Sequence, residues 1–288
     1  MNSFRQKDEG QKDVLKIIFL PPIFLPSMPI ISSTPITRFT QDEFQKVAHE
    51  VMGQVFRIHR ELGRLFDEQI YKKELACRMT GVRLEVPVEV THGGFSKTYF
   101  ADVISGGGGL FEFKTADAIH PRHRGQTIHS LLLFGLAHGK IVNVRPERVQ
   151  HEFVNCHLRL DDLREPRIET ADWDPRLPGG EGFREILTEL CGDWGTGLEV
   201  GLYQEAVTHF LGGEEKVHVP VPVYGSAGHL ADQRMRLAEP GVAFKITGLT
   251  EGLESFANHA RALLRHTRLQ AIHWANVTPN AVRFEVLR

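Results

Sequence analysis

Four consecutive glycines, Gly106 to Gly109, separate two short apolar runs in the stretch from residue 99 to residue 115. Because glycine adopts backbone conformations that other residues disfavour, this run predicts a tight turn between two adjacent strands. Successive side chains of a strand point to opposite faces, so Glu112 and Lys114 share one face of the second strand. The two phenylalanines beside them share the other. The stretch therefore predicts a hairpin with one charged and one apolar face.

A third charged residue, Asp102, lies on the first strand of this hairpin. If the two strands pair, Asp102 approaches Glu112. Two carboxylates and an ammonium group at one point of a sheet are costly unless they pair or hold a cation. Two hard oxygen ligands completed by water are what Mg²⁺ accepts. The pattern predicts a Mg²⁺ site, and the alternative is a charged sheet face exposed to solvent.

Composition sets broad limits on the fold and on the partners. A chain of 288 residues with 41% hydrophobic content can bury a substantial core, and its length favours two domains. Because the formal net charge is only -2, any contact with nucleic acid must come from local basic patches. The sequence has no apolar run long enough to favour a membrane span.

The cysteines and histidines point away from a disulfide framework or a structural zinc site. Cys77, Cys156 and Cys191 are widely spaced and form no CxxC pair, which favours a reducing, cytoplasmic compartment. His120 and His123 could ligate a metal, or they could belong to a solvated loop.

Residues 1–36 differ from the rest and predict a disordered or loosely attached tail. Their apolar part is short and is interrupted by four prolines, so it cannot span a membrane. A secretion signal is an alternative, because a basic start precedes the apolar run. Met28 is an alternative start, which leaves open whether the first residues belong to the native protein.

Ordered structure is predicted from a capping box, Thr40 to Glu43, which begins an amphipathic helix that ends at Gly63. A second helix is expected over 67–79. Pro87 indicates an edge strand or a bulge in the strand that follows. A helix after the three-stranded meander requires a mixed α/β sheet. Strands are expected at 82–90, 95–104, 110–115, 140–144 and 149–154, with a helix over 121–138.

The same plan recurs roughly 130 residues further along the chain. This predicts a tandem duplication, with a first domain at 37–157, a linker at 158–181 and a second domain at 182–288; the alternative is two unrelated α/β modules. In this alignment Glu112 corresponds to Ala243 and Glu68 to Val200, whereas Asp232 and Lys245 are retained. One remaining carboxylate cannot hold Mg²⁺ as two or three do. The second copy is therefore expected to be inactive, with a structural or binding role. The landmarks are Gly63/Gly195, Tyr71/Tyr203, Asp102/Asp232, Lys114/Lys245 and Asn143/Asn276.

These residues together resemble a known family. The helical Glu68-Gln-Ile-Tyr71, the valine-rich hairpin, Asp102, the Glu112-Phe-Lys114 motif and Gln126 are similar to the bacterial GxxExxY family of the PD-(D/E)XK nuclease-like superfamily. The resemblance covers about 44–154 and, weakly, 182–286. It implies two tandem restriction-endonuclease-like αβ domains. Two positions depart from the family pattern, Leu65 and Ser130, and neither is an expected metal ligand.

The resemblance implies a role for each of these residues. Asp102 and Glu112 would bind Mg²⁺ or Mn²⁺, while Lys114 would orient or deprotonate the attacking water or stabilise the transition state. Glu68 would be an auxiliary acid and Gln126 a helix residue that faces the site. A packing role for Tyr71 is an alternative. Glu68 could also simply pair with Lys72 one helical turn away.

The expected function is Mg²⁺-dependent hydrolysis of nucleic-acid phosphodiesters by the first domain, with DNA favoured over RNA. The expected phosphate contacts are two basic clusters, Arg122 with Arg124 and Lys72 with Lys73, although either could be a solvated face. The two copies are expected to pair within the chain, and a homodimer is a further option. The alternative function is a nucleic-acid- or protein-binding module that keeps the nuclease fold without useful turnover.

Overall fold

The structure is a computed structural model that describes residues 29–288. Its first unit, residues 41–155, begins with two helices, continues with three strands and ends with a helix and two strands. A short strand precedes it. These elements are β1 (Ile30–Ile31), α1 (Gln41–Leu62), α2 (Glu68–Arg78), β2 (Val82–His92), β3 (Phe95–Ser105), β4 (Gly109–Lys114), α3 (Pro121–Phe134), β5 (His138–Asn143) and β6 (Gln150–Asn155).

The second unit, residues 180–287, repeats this order with one additional short helix, and a strand again precedes it. Its elements are β7 (Arg167–Asp172), α4 (Gly180–Trp194), α5 (Val200–Phe210), α6 (Glu214–Val217), β8 (His218–Gly225), β9 (Gly228–Glu239), β10 (Val242–Thr247), α7 (Leu253–Arg265), β11 (Ala271–Thr278) and β12 (Ala281–Leu287). None of the helices within residues 29–288 is long and apolar enough to cross a membrane.

Each unit has a mixed sheet with the same central strand order. The first sheet runs β1-β2-β3-β4-β5-β6, and the second runs β8-β9-β10-β11-β12-β7. β4 and β5 are parallel, as are β10 and β11, because a helix crosses over between them. The neighbouring pairs are antiparallel: β3 with β4 and β5 with β6 in the first sheet, and β9 with β10 and β11 with β12 in the second. The predicted mixed α/β fold is confirmed.

Local sequence explains where the first helix begins. The Thr40 hydroxyl accepts the Glu43 amide at 3.3 Å, and the Glu43 carboxylate accepts the Thr40 amide at 2.8 Å. This capping box satisfies backbone groups that the first turn leaves free. The buried stripe of α1 then covers one face of the first sheet, where Phe111 and Phe113 also lie.

The opposite face of the first sheet belongs to a core that continues into the second unit. Trp194 of α4 and Tyr203 of α5 are fully buried in this core, together with residues of α3. The Trp194 indole donates to the carbonyl oxygen of Thr91 at 2.8 Å. At the rim, Lys97 pairs with Glu205 at 2.7 Å. The two units are therefore joined by burial of apolar surface as well as by polar contacts.

Two internal hydrogen bonds occur in both units. The Tyr71 hydroxyl donates to the carbonyl oxygen of Gly63 at 2.7 Å, and the Tyr203 hydroxyl donates to that of Gly195. A buried asparagine at the parallel strand pair also binds backbone groups after the preceding strand. These are Asn143 with Ala116 and Asn276 with Leu249. The packing role considered for Tyr71 is thus part of the structure.

Strand pairing corrects the predicted alignment of the two units at the charged hairpin. Lys114 pairs with Asn143, and Thr247 pairs with Asn276, so the counterpart of Lys114 is Thr247 rather than Lys245. Lys245 is the fourth residue of the six-residue β10 and therefore corresponds to Glu112, the fourth residue of β4.

The counterpart expected for Asp102 is also wrong. Ile104 pairs with Leu110, and Leu237 pairs with Ala243, which makes Met235 the counterpart of Asp102. Asp232 instead lies in the exposed β8–β9 ribbon, where it pairs with His229 at 2.8 Å. The second unit therefore retains neither carboxylate at these positions.

Two predicted boundaries change. Residues 30–31 of the predicted tail form a strand that pairs with β2, whereas residues 1–28 lie outside the described part of the chain. The predicted linker contains β7, which pairs in parallel with β12 and extends the second sheet. Its sequence, Arg167 to Asp172, is short and polar, so it lacks the apolar alternation by which strands are recognised.

Candidate active site

The strands β3 and β4 separate where the candidate site begins. Their ladder runs from Ser105 and Gly109 to Val103 and Phe111, and the next pair would be Asp102 with Glu112. The backbone pairing stops there. The Asp102 carboxylate instead accepts the amide of Phe113 at 2.9 Å. A side chain thus satisfies a strand amide that would otherwise lack a partner.

The three residues of the predicted motif lie together at this point. The Lys114 ammonium nitrogen is 2.7 Å from Glu112 Oε1 and 3.9 Å from Asp102 Oδ2. The Glu112 side chain is 2% exposed, and the other two are 14% exposed. The site is therefore mostly buried, which excludes the alternative of a charged face open to solvent.

Burial changes the protonation of Glu112. Desolvation, with a further contribution from the nearby Asp102 charge, raises the pKa of Glu112 to about 7, although Lys114 acts in the opposite direction. A carboxylic acid in this position exchanges its proton near neutral pH. Such a shift is common at functional sites, because they bring like charges together in partly dry surroundings.

Lys72 of α2 lies at the centre of a second group of charges beside Asp102. Its ammonium nitrogen is 2.5 Å from Glu85, 2.8 Å from Asp102 and 3.1 Å from Glu68. Burial alone would lower the pKa of Lys72, but hydrogen bonds to Asp102 and Glu85 raise it above its ordinary value. The lysine is 1% exposed. The expectation that Lys72 contacts nucleic acid is therefore wrong, because its charge is enclosed by carboxylates.

Glu68 is the first residue of α2 and faces the same group. Its pairing with Lys72, considered above as an alternative, is present in the structure. Burial and the Asp102 charge raise the pKa of Glu68, although Lys72 opposes the shift. Glu68 is thus within the charged cluster, where it adds a third carboxylate near Asp102 and Glu112.

Glu85 completes the cluster and was not predicted. It lies in β2 between two residues that pair with Val103 and Ala101, so it is opposite Asp102. Its φ of 49° is the one positive value among the non-glycine residues that the structure describes. A left-handed backbone costs such a residue about 1–2 kcal/mol. The Glu85 carboxylate accepts from Gln69 at 2.8 Å as well as from Lys72, and these contacts lower its pKa against the opposing effect of burial.

The predicted residues of α3 are less closely connected to this cluster. Gln126 is exposed, and within residues 29–288 it makes no side-chain hydrogen bond to the cluster. Arg122 is exposed at the start of α3. Arg124 forms a two-pronged ion pair with Glu152, at 2.5 and 2.7 Å. Lys73 is exposed on α2. Among the four basic residues predicted to contact phosphate, Arg122 and Lys73 are therefore the two most exposed to solvent.

Hydrogen bonds join His120 and His123, the two histidines that were considered as metal ligands. The His123 amide donates to the carbonyl oxygen of His120 at 2.9 Å. The His123 ring accepts the His120 amide at 3.1 Å at the start of α3. Burial, together with the Arg122 charge, lowers the pKa of His123. The two histidines therefore cap the first turn of α3.

The donor set of the cluster suits a divalent cation. Four carboxylates, those of Glu68, Glu85, Asp102 and Glu112, surround two ammonium groups, so negative charge is in excess. Carboxylate oxygens are the ligands that Mg²⁺ and Mn²⁺ prefer. In the described part of the chain, no three His, Cys, Asp or Glu side chains already converge on one metal position. The ammonium of Lys114 instead supplies the positive charge beside Glu112.

The stretch of the chain that contains this site is similar to one known family. Residues 45–155 match the family model of the PD-(D/E)XK nuclease superfamily, and this stretch contains the whole cluster. No curated protein matches the chain. A solved structure described as "Crystal structure of SSO0001" is similar at 24% identity over 41% of this chain and 60% of its own length. The TM-score between the two chains is 0.26.

Proposed function

We propose that the first unit hydrolyses nucleic-acid phosphodiester bonds with Mg²⁺ or Mn²⁺, and that DNA is a better substrate than RNA. The contact of Lys114 with Glu112, beside Asp102 and within the stretch that matches the nuclease model, carries the proposal. Aspartate, glutamate and lysine at one buried point of a sheet would provide both oxygen ligands for a cation and a positive charge for the reaction. We also propose that the first unit is a member of the GxxExxY family.

In this proposal Asp102 and Glu112 hold the cation, and Lys114 acts on the phosphate. A bound divalent cation would neutralise developing negative charge and lower the pKa of water near the phosphodiester. Lys114, which lies beside both carboxylates, would bind a phosphate oxygen or orient the attacking water.

The remaining charges position Asp102. Lys72 holds one oxygen of its carboxylate, and the amide of Phe113 holds the other. Glu85 and Glu68 in turn fix the ammonium of Lys72. We therefore assign Lys72 and Glu85 as positioning residues, while Glu68 remains a candidate auxiliary acid. Gln126 keeps its proposed position on the helix that faces the site.

Contacts with the polyanion are proposed for exposed basic residues near the cluster. Lys73 lies one residue from Lys72 but points its charge to solvent, and Arg122 begins α3. Arg124 is a further proposed phosphate contact. Its ion pair with Glu152 offsets part of its charge. Because each contact with a phosphate releases counterions, binding should weaken as salt rises.

We infer that the two units arose by tandem duplication and that the second is inactive. The repeated element order and the paired tyrosine and asparagine contacts support a common origin. Met235, Lys245 and Thr247 in place of the motif residues support the loss of hydrolysis. We further propose that the two units pair within the chain and that the protein is cytoplasmic. A homodimer is a further option. The described cysteines are all free, which is consistent with a reducing compartment.

A second candidate function is a binding module that keeps the nuclease fold. The pairing of both motif carboxylates with lysines favours it, because the cluster is compensated in part without a metal ion. In that case nucleic acid or protein would bind without turnover.

A substrate panel separates the two. Plasmid, single-stranded DNA and RNA are incubated with Mg²⁺, with Mn²⁺ and with EDTA, using the wild-type protein and Glu112→Ala. The proposal expects cation-dependent cleavage by the wild type, faster on DNA, and none by the variant. Binding without cleavage under every condition would support the binding module. Equal cleavage by Glu112→Ala would show that the activity comes from another site or from a contaminant.

A further inference from the structure

The second unit has a pocket of about 310 Å³, partly open to solvent, between β9, β10 and α7. The pocket lies where the first unit has its candidate active site. Gln204, Met235 and Lys245 line it. They occupy the positions in α5, β9 and β10 that correspond to the buried lysine and the two motif carboxylates of the first unit. Thus the fold has kept the concavity while its side chains have changed.

The lining of this pocket is cationic. Arg234, Arg236 and Lys245 contribute positive charge, and His218 and His259 add two imidazoles. No aspartate or glutamate is among the lining residues. This is the reverse of the first unit, where carboxylates outnumber ammonium groups. A concave site with one sign of charge concentrates ligands of the opposite sign.

Part of this positive charge is not compensated by neighbours. Glu214, just outside the pocket, pairs with His218 at 2.6 Å and lies 3.5 Å from Arg236. Lys245 is exposed and forms no salt bridge with any residue that the structure describes, and the same holds for Arg234. The Arg234 guanidinium donates to the carbonyl oxygen of His218, which holds it at the rim. An anion in the pocket would therefore meet the ammonium of Lys245, unpaired among the described residues, and the remaining donors of Arg234, whose charge Glu214 offsets in part.

The floor of the pocket is apolar. It is formed by Phe256, Ala260 and Leu263 of α7 together with Ile272 of β11. Phe256 is held by a tilted contact with Trp274, with ring centroids 4.7 Å apart. An apolar floor beneath a cationic rim suits a ligand with a flat hydrophobic body and an attached anion. Inorganic phosphate alone would leave this floor unused.

We infer that the pocket binds a nucleoside phosphate, with the phosphate at Lys245 and Arg234 and the base against the apolar floor. The ligand is either a free mononucleotide or the phosphorylated end of a nucleic-acid strand, since both present the same chemistry. The volume is at the lower end of the range for small-molecule sites, about 300–1,000 Å³, which favours one nucleotide rather than several. This inference goes beyond the proposed hydrolysis, because it depends only on the second unit.

Isothermal titration calorimetry of the full chain in EDTA and low salt tests the inference without cleavage. The probes are AMP, adenosine, inorganic phosphate, and a short oligonucleotide with and without a 5′-phosphate. AMP should bind at least about tenfold more tightly than adenosine or phosphate, because only AMP reaches both the rim and the floor. Tight binding that is specific to the phosphorylated oligonucleotide would equally support the inference and identify a strand end as the source.

Three variants locate the site. Lys245→Ala should weaken the binding of the preferred probe by about tenfold or more, since a charged hydrogen bond is lost. Lys46→Ala removes an equal charge from an exposed position on α1 and should leave binding unchanged. Glu112→Gln, which disables the proposed hydrolysis, should also leave it unchanged. Absence of binding by both AMP and the phosphorylated oligonucleotide, or equal affinity in Lys245→Ala, would overturn the inference.

Discussion

Lys245 and Glu112 occupy the same position in two similar sheets and carry opposite charges. Each is the fourth residue of a six-residue strand that pairs in parallel with the strand after the crossover helix. Glu112 is buried beside a lysine and an aspartate, whereas Lys245 is exposed in a cationic pocket. One architecture thus places an acidic cluster in the first unit and a cationic pocket in the second.

Binding of a divalent cation should stabilise the folded protein through Glu112. At a cation concentration about 100 times Kd, the free energy of unfolding should rise by about 2.7 kcal/mol. Thermal unfolding with and without Mg²⁺ or Mn²⁺ measures this effect. Glu112→Gln should show little stabilisation, while Glu50→Gln, an exposed position on α1, should respond as the wild type does. An equal response in Glu112→Gln would exclude this carboxylate as a ligand.

The buried Lys72 should be much more important for stability than its neighbour Lys73. Lys72→Met leaves the carboxylates of Glu68, Glu85 and Asp102 without their shared cation, which should cost about 3–5 kcal/mol. Lys73→Met changes an exposed residue and should cost about 0.5 kcal/mol or less. Urea unfolding of the two variants provides the comparison. Similar losses would contradict the central position assigned to Lys72.

The two buried tyrosines should contribute similarly to their units. Tyr71→Phe leaves the carbonyl oxygen of Gly63 without its donor, and Tyr203→Phe does the same for Gly195. Each change should lower the free energy of unfolding by about 1–2 kcal/mol. Tyr224→Phe is the control, because no hydrogen bond from the Tyr224 hydroxyl is found among the described residues. If either variant is as stable as this control, its hydrogen bond contributes nothing.

Acid should weaken the protein through His129 at the contact between the units. Burial lowers the pKa of His129 from 6.5 to about 4, with Glu199 opposing and Lys97 assisting the shift. Between these values the unfolded chain binds the proton and the folded chain does not, so stability falls as pH drops from 6.5 to 4. The ring must also stay neutral at Nδ1 to accept the Glu199 amide, which it does at 3.1 Å.

The test compares urea unfolding at pH 7 and pH 4 for the wild type and His129→Gln. The wild type should lose about 3 kcal/mol more than the variant over this interval. His259→Gln, an exposed position on α7, serves as the control and should follow the wild type. Parallel pH curves for the wild type and His129→Gln would contradict the prediction.

The helices, most strands and the motif could be predicted from sequence because their patterns are local. The capping box at Thr40 fixes a helix start, and the spacing of Glu112 and Lys114 fixes a shared face of a strand. The glycine run likewise marked the turn into β4, where Gly106 and Gly107 have positive φ. Each of these signals is set by neighbours in the chain, so no tertiary information is needed.

Features that depend on tertiary contacts could not be predicted. Phe113-Lys114 and Phe244-Lys245 match as dipeptides, but strand pairing shifts their alignment by two positions. A lysine four residues after Glu68 is typical of an exposed helix face, so the sequence gives no sign that Lys72 is buried. Glu85 lies within a regular valine alternation that conceals its positive φ. In each case a distant strand or helix decides the outcome.

The most direct test of the proposed activity is the rate of DNA cleavage by Lys114→Ala in saturating Mg²⁺. Lys73→Ala is the control, because it removes a nearby lysine that does not touch the motif. If Lys114 acts on the phosphate, its loss should slow cleavage by about 100-fold or more, since one electrostatic contact to the transition state is commonly worth that factor. Lys73→Ala should lower affinity modestly and retain the rate at saturation. Cleavage by Lys114→Ala at the wild-type rate would contradict the assignment of the active site.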